Sequence, residues 1–469
     1  MGCVTREGDM KTARVLCSLV ILVAAFTALN GRAYGLVELD EAQMREGEVD
    51  NQLGPTPEDL VDIDFRQVPN LVYVASGDFT GDGRRGVAAG NINGDSVSIF
   101  YEPGDGNLQN TVEHGSGNGP VCVAAKDLDG DGIDDLVVAN YFEDSLTVLW
   151  GRPGGRFAAR ARYGTGASPA SVVAADLDSD GKPDLAVCNR GDNSVSVLTG
   201  RGDMTFRARQ DYPVGKSPRG IAAGDFDSDG NTDLAVTDFK DNNVSVLYGN
   251  GDGSFRRAAD YGGFSGPRSI VAADMDGDGT DDLVVAEWES DTVAVVLVHD
   301  GRLAPAVHYT CGHGPSSVGV ADFDRDGILD IVVSNAMDSD VVLLSGNGDG
   351  TFQMKRELGR WDVPRSLAID DFNRDGWPDV AVVGGNSDGV SVLFGAGMLH
   401  LDVAVSGASM GSVSPDRGLY APGSVVTLTA TPNPGCSFTG WTGAVDDPGS
   451  PTTTVTMRAN MTVWAGFAK

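Results

Sequence analysis

The residues best placed to do chemistry are carboxylates set two apart. Between Asp127 and Asp135 the chain reads Asp-x-Asp-x-Asp-Gly-x-x-Asp. Carboxylates at alternate positions of a tight turn point inward together, and hard cations take six to eight oxygens. Gly132 stands where such a turn must bend sharply. The ligands would be the side chains of Asp127, Asp129, Asp131 and Asp135, with the backbone oxygen of Ile133. An EF-hand begins the same way, but it closes with Glu at position 12 and lies between helices. Position 12 is Val138 here, inside a β-rich run. The spacing therefore predicts a shorter calcium loop, closed at position nine.

The loop recurs. Its leading Asp falls at Asp78, Asp127, Asp176, Asp225, Asp274, Asp322 and Asp371, at intervals of 49, 49, 49, 49, 48 and 49 residues. The third unit offers Asp176, Asp178, Asp180, the Lys182 carbonyl and Asp184. The fourth offers Asp225, Asp227, Asp229, the Asn231 carbonyl and Asp233. The fifth offers Asp274, Asp276, Asp278, the Thr280 carbonyl and Asp282. The sixth offers Asp322, Asp324, Asp326, the Ile328 carbonyl and Asp330. The seventh, with Asp371, Asn373, Asp375, the Trp377 carbonyl and Asp379, should still bind. The first has Asp78, Thr80 and Asp82, with Gly86 at the closing position, and should bind weakly or not at all. About six structural Ca²⁺ sites are expected.

These loops must be held by strands. Each unit runs from a Pro through small and apolar residues, as in 217–225, to the Asp loop. Two further β-rich runs follow, as at 234–238 and 242–249, and a Gly-rich turn leads to a fourth at 255–261. Four short strands per unit, repeated seven times, give an all-β fold: a seven-bladed β-propeller at 62–397. Unit seven stops after 389–395 without its fourth strand, and 62–68 resembles that missing strand. The N-terminal segment is expected to complete the last blade and so leave no open sheet edge.

The period, the Phe, Gly and Pro landmarks and the nine-residue Asp loop resemble FG-GAP (VCBS-type) repeats, as in the integrin α-subunit propeller. The resemblance implies that each loop joins the first and second strands of a blade and binds calcium structurally. Residues 399–469 form a small C-terminal β-rich domain. Its Gly-x-Val-x-Pro start, "YAPGSVVTLTATP" and "Phe-x-Gly-Trp" resemble the divergent internalin-type B repeat. That resemblance implies a bacterial, surface or extracellular protein. Trp441 and Trp464 are expected in its core.

The formal charge of −33 argues against a nucleic-acid partner,. Much of it is ligand, since six divalent ions would return twelve charges. Lys11 and Arg14 precede an apolar run from Val15 to Leu29 and a small-residue site at 33–35. Residues 1–35 therefore read as a signal peptide, 36–61 as an acidic segment, and the mature chain as one with no membrane span. Cys122, Cys188, Cys311 and Cys436 have no metal-type spacing and read as small buried thiols,.

Turns on the face opposite the loops should gather Tyr141, Phe142, Phe239, Trp288 and Trp361, which would suit an unidentified glycan or protein ligand or would pack the loops together. The two Arg-Gly-Asp triplets at 190–192 and 201–203 fall in turns already rich in these residues. The Gly-x-Ser-x-Gly at 407–411 lacks the strand–turn–helix setting a nucleophile needs,. The histidines share no repeat position, and no acid–base pair stands apart from the ligand carboxylates. The chain reads as a secreted or cell-surface calcium-binding adhesion or recognition module, not an enzyme. The alternatives are a calcium-dependent polysaccharide lyase or phospholipase, or a purely structural surface component. A basic cluster in the central opening would favour the lyase, and none is legible in the sequence.

Overall fold

The structure is a computed structural model. It describes residues 61–66, 71–101, 110–157, 161–353, 356–384, 389–395, 399–406, 410–415, 417–420, 425–457 and 461–469. The expected signal peptide, Cys3, Cys17, the acidic segment up to residue 60 and residues 407–409 lie outside them. Among the described residues no helix is long and apolar enough to cross a membrane.

Seven four-stranded antiparallel sheets follow one another along 61–394. In the fourth blade the strands are Pro218–Gly224, Asp233–Asp238, Asn243–Gly249 and Phe255–Gly262, paired in sequence order. The last blade has Pro364–Asp370, Asp379–Gly384 and Gly389–Phe394, and its fourth strand is Val61–Arg66. Val61 lies opposite Phe394 and Arg66 opposite Gly389, so the N-terminal strand closes the ring as its sequence suggested.

The second strand of every blade is buried from end to end, as in Asp135–Asn140 and Asp233–Asp238. Sheets covered on both faces need such unbroken runs of small and apolar side chains. Between neighbouring blades these runs form seven separate cores. Phe226, Val246, Leu283 and Val296 fill the gap between the fourth and fifth blades. Leu71, Val87, Phe372 and Phe394 fill the gap between the first and the seventh. An open rod would lack that last core. Farther out, an aromatic clamp repeats: Tyr163 meets Phe206, Tyr212 meets Phe255 and Tyr309 meets Phe352, edge to face at 5.1, 5.5 and 5.4 Å.

The C-terminal module has two sheets. Leu399–Ser406 pairs in parallel with Met461–Ala468, flanked by Arg417–Tyr420 and Ser437–Thr442. Gly411–Ser414, Val425–Pro432 and Thr452–Thr456 form the other. Trp441 is in its core with Leu428, Val455 and Phe467, as expected. Trp464 is not: it is 47% exposed. Val463 and Ala465 point inward, and strand alternation turns the residue between them to the other side,. Cys122, Cys188 and Cys311 are buried and form no disulfide, and Cys436 is half-buried.

Candidate functional site

Each Asp loop joins the first and second strands of its blade. Its first Asp folds the turn. In the second blade Asp127 accepts the Gly130 and Gly132 amides at 2.7 and 2.8 Å. The corresponding bond to the loop glycine is 2.9 Å from Gly181, Gly230, Gly279 and Gly327, and 2.8 Å from Gly376. Those glycines have φ between 81° and 89°, a conformation that favours glycine,. The fifth-position carboxylate holds the amide of the residue whose carbonyl was expected to bind. These bonds run from Ile133 to Asp131, Lys182 to Asp180, Asn231 to Asp229, Thr280 to Asp278, Ile328 to Asp326 and Trp377 to Asp375, at 2.8–3.0 Å.

The closing Asp is a structural post as well as a candidate ligand. Asp135 is fully buried and accepts the Leu128 amide at 2.9 Å and the Gly151 amide at 2.6 Å. Asp184, Asp233, Asp282, Asp330 and Asp379 repeat both bonds. Burial pushes these acids up, with neighbouring carboxylates adding: Asp135 and Asp233 to about 7, Asp184 and Asp282 to about 6, and Asp379 to about 8.

Three of the expected carboxylates converge in each of four loops, while Asp131, Asp180, Asp233 and Asp278 stand outside those groups. Carboxylate oxygens of Asp127, Asp129 and Asp135 lie within 4.8 Å of one another. So do those of Asp176, Asp178 and Asp184, of Asp225, Asp227 and Asp229, and of Asp274, Asp276 and Asp282. Asp322, Asp324 and Asp326 keep the same turn bonds in the sixth blade, as do Asp371, Asn373 and Asp375 in the seventh. One oxygen each of Asp178 and Asp227 is buried and accepts no hydrogen bond, although both acids also face an arginine. A buried carboxylate oxygen without a donor is costly. An all-oxygen donor set with such orphaned atoms fits a hard cation.

In the first loop Thr80 bridges Asp78 and Asp82 with its hydroxyl, and Gly86 supplies no carboxylate. A Cβ on Gly86 would sit 2.9 Å from both the Phe100 carbonyl oxygen and the Phe79 ring. That blade is built without the buried acid. The loop-facing cations were not anticipated. Arg152 meets Asp129 and Asp131, Arg207 meets Asp178, Arg256 meets Asp227 and His299 meets Asp278. Each lies 21–29 residues beyond its partner, past the third strand, and only the blade topology links those positions.

On the opposite face the expected aromatic patch is smaller than its sequence suggested. Trp361 is buried among Leu343, Leu358 and Leu367 and is only 7% exposed. Phe142 is exposed, edge to face with Tyr141 at 5.2 Å. Phe239 and Trp288 lie beneath guanidinium groups: Arg219 is 3.8 Å and Arg268 4.4 Å from their ring centroids. These arginines, with Arg190 and Arg365, belong to a basic cluster at the start of the inner strands that was not located in the sequence. The signal was present, because Arg219, Arg268 and Arg365 each follow the blade's Pro.

Against known proteins, an FG-GAP-like repeat model matches residues 78–138, 127–187, 176–236, 225–285, 275–333 and 322–382. The chain belongs to the FG-GAP-like repeat family. A divergent InlB B-repeat domain model matches 401–469. Among solved structures, BBS1N in its complex with ARL6DN aligns with TM-scores of 0.53 (lead soak) and 0.54 (mercury soak). Both are 12% identical and cover 72% of this chain and 96% of that one, which shows the propeller fold. An Agrocybe aegerita lectin aligns at 0.46 with 17% identity, over 70% of this chain and 86% of its own. No curated protein matches the chain.

Proposed function

We propose that this FG-GAP-like protein is an exported, non-enzymatic recognition module, secreted or held at a bacterial cell surface. Calcium would fix one face of its propeller while the other presents a rigid surface to a glycan or protein ligand. The observation that carries the reading is the set of repeated Asp loops, in two of which a buried carboxylate oxygen, of Asp178 and of Asp227, has no donor to satisfy it. Calcium would be held by the six expected sets: the side chains at positions one, three, five and nine with the backbone oxygen at seven. When bound, it supplies the positive charge that reverses the cost of crowding these acids. Its contribution is to stability, about 1.4 kcal/mol per site at ~10 times the dissociation constant.

The non-enzymatic reading rests on the groups beside the arginines. The neighbouring Cys122 thiol, and then burial, drive the Tyr73 phenol up, while burial pushes Cys122 itself to about 11. Neither is poised to take a proton at neutral pH. The arginine cluster is nevertheless the one observation that favours a lyase, and incubation with polyuronates separates the two: the recognition reading expects no unsaturated product. Equilibrium dialysis should return about six calcium ions per chain, and chelation should lower the melting temperature sharply. A chain that melts alike in calcium and in chelator would remove the reading's foundation. A pull-down and a glycan screen on calcium-loaded protein should then find a ligand.

A further inference from the structure

Every inner strand carries the same irregularity. Pairing with the second strand breaks between the blade's opening residue and the residue two further on, leaving one extra residue bulged out of the ladder. The breaks lie between Leu71 and Tyr73, Pro120 and Cys122, Pro169 and Ser171, and Pro218 and Gly220. They continue between Pro267 and Ser269, Pro315 and Ser317, and Pro364 and Ser366. The bulged residues are Val72, Val121, Ala170, Arg219, Arg268, Ser316 and Arg365. A bulge re-aims its side chain, and seven in register on the inner strands ring one mouth of the central channel. One arc of that ring is apolar, over blades one to three. The other holds three arginines, over blades four to seven.

The arginines are positioned. Arg219 and Arg268 stack on Phe239 and Trp288. A fourth, Arg190, donates from its Nε to the Ser217 hydroxyl at 3.0 Å. Arg268 is part-buried, and Arg365 is exposed. Among the described residues, no carboxylate pairs with Arg268 or Arg365. Burial first, then the charges of Arg219, Arg365 and Arg190, push the Arg268 guanidinium down to about 9. So concentrated a positive charge, in a chain of formal charge −33, is a poor arrangement unless an anion compensates it,.

We propose that this mouth binds the oxyanion groups, carboxylate or sulfate, of an acidic saccharide. Guanidinium forks match both groups bidentately, and stacking on an aromatic ring fixes the plane of the fork. Several forks along one arc suit anions repeated on one chain, and the facing Val72, Val121 and Ala170 suit its less polar surface. A polyphosphate chain, more densely charged, would meet the repulsion of the acidic body. The inference rests on the recognition reading and names its ligand class.

The test is calorimetry on the full calcium-loaded chain with oligogalacturonate, a sulfated oligosaccharide, a neutral oligosaccharide of equal length and a polyglutamate peptide. At least one acidic saccharide should bind, more weakly as salt rises, and at least tenfold tighter than the neutral one. Which of the two binds identifies the oxyanion. Arg268→Gln and Arg365→Gln should each weaken binding about tenfold or more. The Arg365 side chain is exposed, so that variant keeps the test clear of folding defects. Neutral saccharide binding equally well, unchanged by either variant, would overturn the inference and leave the recognition reading intact. Polyglutamate binding as tightly as the saccharides, or no probe binding at all, would overturn it too.

Discussion

Replacing Asp178 by Ala should change stability in opposite directions in chelator and in a large excess of calcium. The Asp178 side chain is only 6% exposed, one of its oxygens lacks a hydrogen-bond donor, and the other lies 3.3 Å from Arg207. Burial, with Asp180 beside it, raises its pKa. In chelator the substitution removes a carboxylate held where it is poorly solvated. An unsatisfied buried polar group costs about 1–3 kcal/mol. The pair with the half-exposed Arg207 returns about 0–1 kcal/mol at most. The variant should therefore match or exceed the parent by about 1–2 kcal/mol in chelator.

In calcium the balance shifts back toward the parent, to near parity at ~10 times the dissociation constant and past it at ~100 times. Losing one of six sites forfeits about 1.4 kcal/mol at ~10 times the dissociation constant and about 2.7 at ~100 times. Denaturant unfolding of both proteins, in excess calcium and in chelator, gives four midpoints. Calcium should stabilise the parent more than the variant by that amount. Asp178→Asn is the graded control: the seventh blade has Asn373 at the same loop position, so the Asn variant should keep most of the calcium increment. If Asp178→Ala were equally destabilising in calcium and in chelator, Asp178 would be a packing residue and the metal argument would fail at its best-placed atom.

Two further outcomes follow from strain elsewhere. Asp238 is fully buried, and burial raises it from 3.8 to about 7. Between those values the folded chain holds a proton that the unfolded chain has lost. Its contribution is complete below the unfolded pKa and vanishes as pH rises through about 7,. Asp238→Asn should thus gain on the parent between pH 4 and 8, by up to about 4 kcal/mol; Asn140, Asn189 and Asn335 occupy the matching position in other blades. Urea midpoints across that range check it, and a pH-independent difference would contradict it. Val363 has φ of 52°, where Gly119, Ser168, Ser217, Gly266 and Gly314 sit before the other prolines. A β-branched residue is strained there. Val363→Gly should stabilise the fold by about 1 kcal/mol, read as a raised denaturation midpoint, and a lowered midpoint would show the backbone unstrained.

The ring was legible because its signals are local and repeated. The nine-residue loop lies within one turn, and four strands recur within each period. The truncated seventh unit predicted the strand exchange that pairs Val61–Arg66 with Gly389–Phe394. What could not be read was set by contacts between distant residues. Trp361 looked like a loop aromatic, but its bulk fills the gap between the sixth and seventh blades. Trp464 looked like a core aromatic until strand parity placed Val463 and Ala465 inside instead. Arg152, Arg207 and Arg256 reach their loops only through the third-strand return. The arginines after each Pro were visible, but their convergence follows from a bulge that local sequence does not announce.

The two ends of each inner strand answer to different demands. At the loop end six blades keep one donor pattern, because one kind of ion would ask the same of each. At the other end the Pro is kept in six blades while the bulged residue varies from Val and Ala to Ser and Arg. A seven-residue strand separates them by roughly 20 Å. Direct electrostatics across that distance is largely screened in salt. Metal at one end can therefore serve the other only through rigidity. Ser366, Ser171 and Ser269, just below the bulges, pair with the Val74 amide, the Cys122 thiol and the Val318 amide of adjacent blades. These bonds lock neighbouring blades in register at the mouth. A ring fixed that way can vary one residue per blade without disturbing its frame, and at that variable position the charge has gathered.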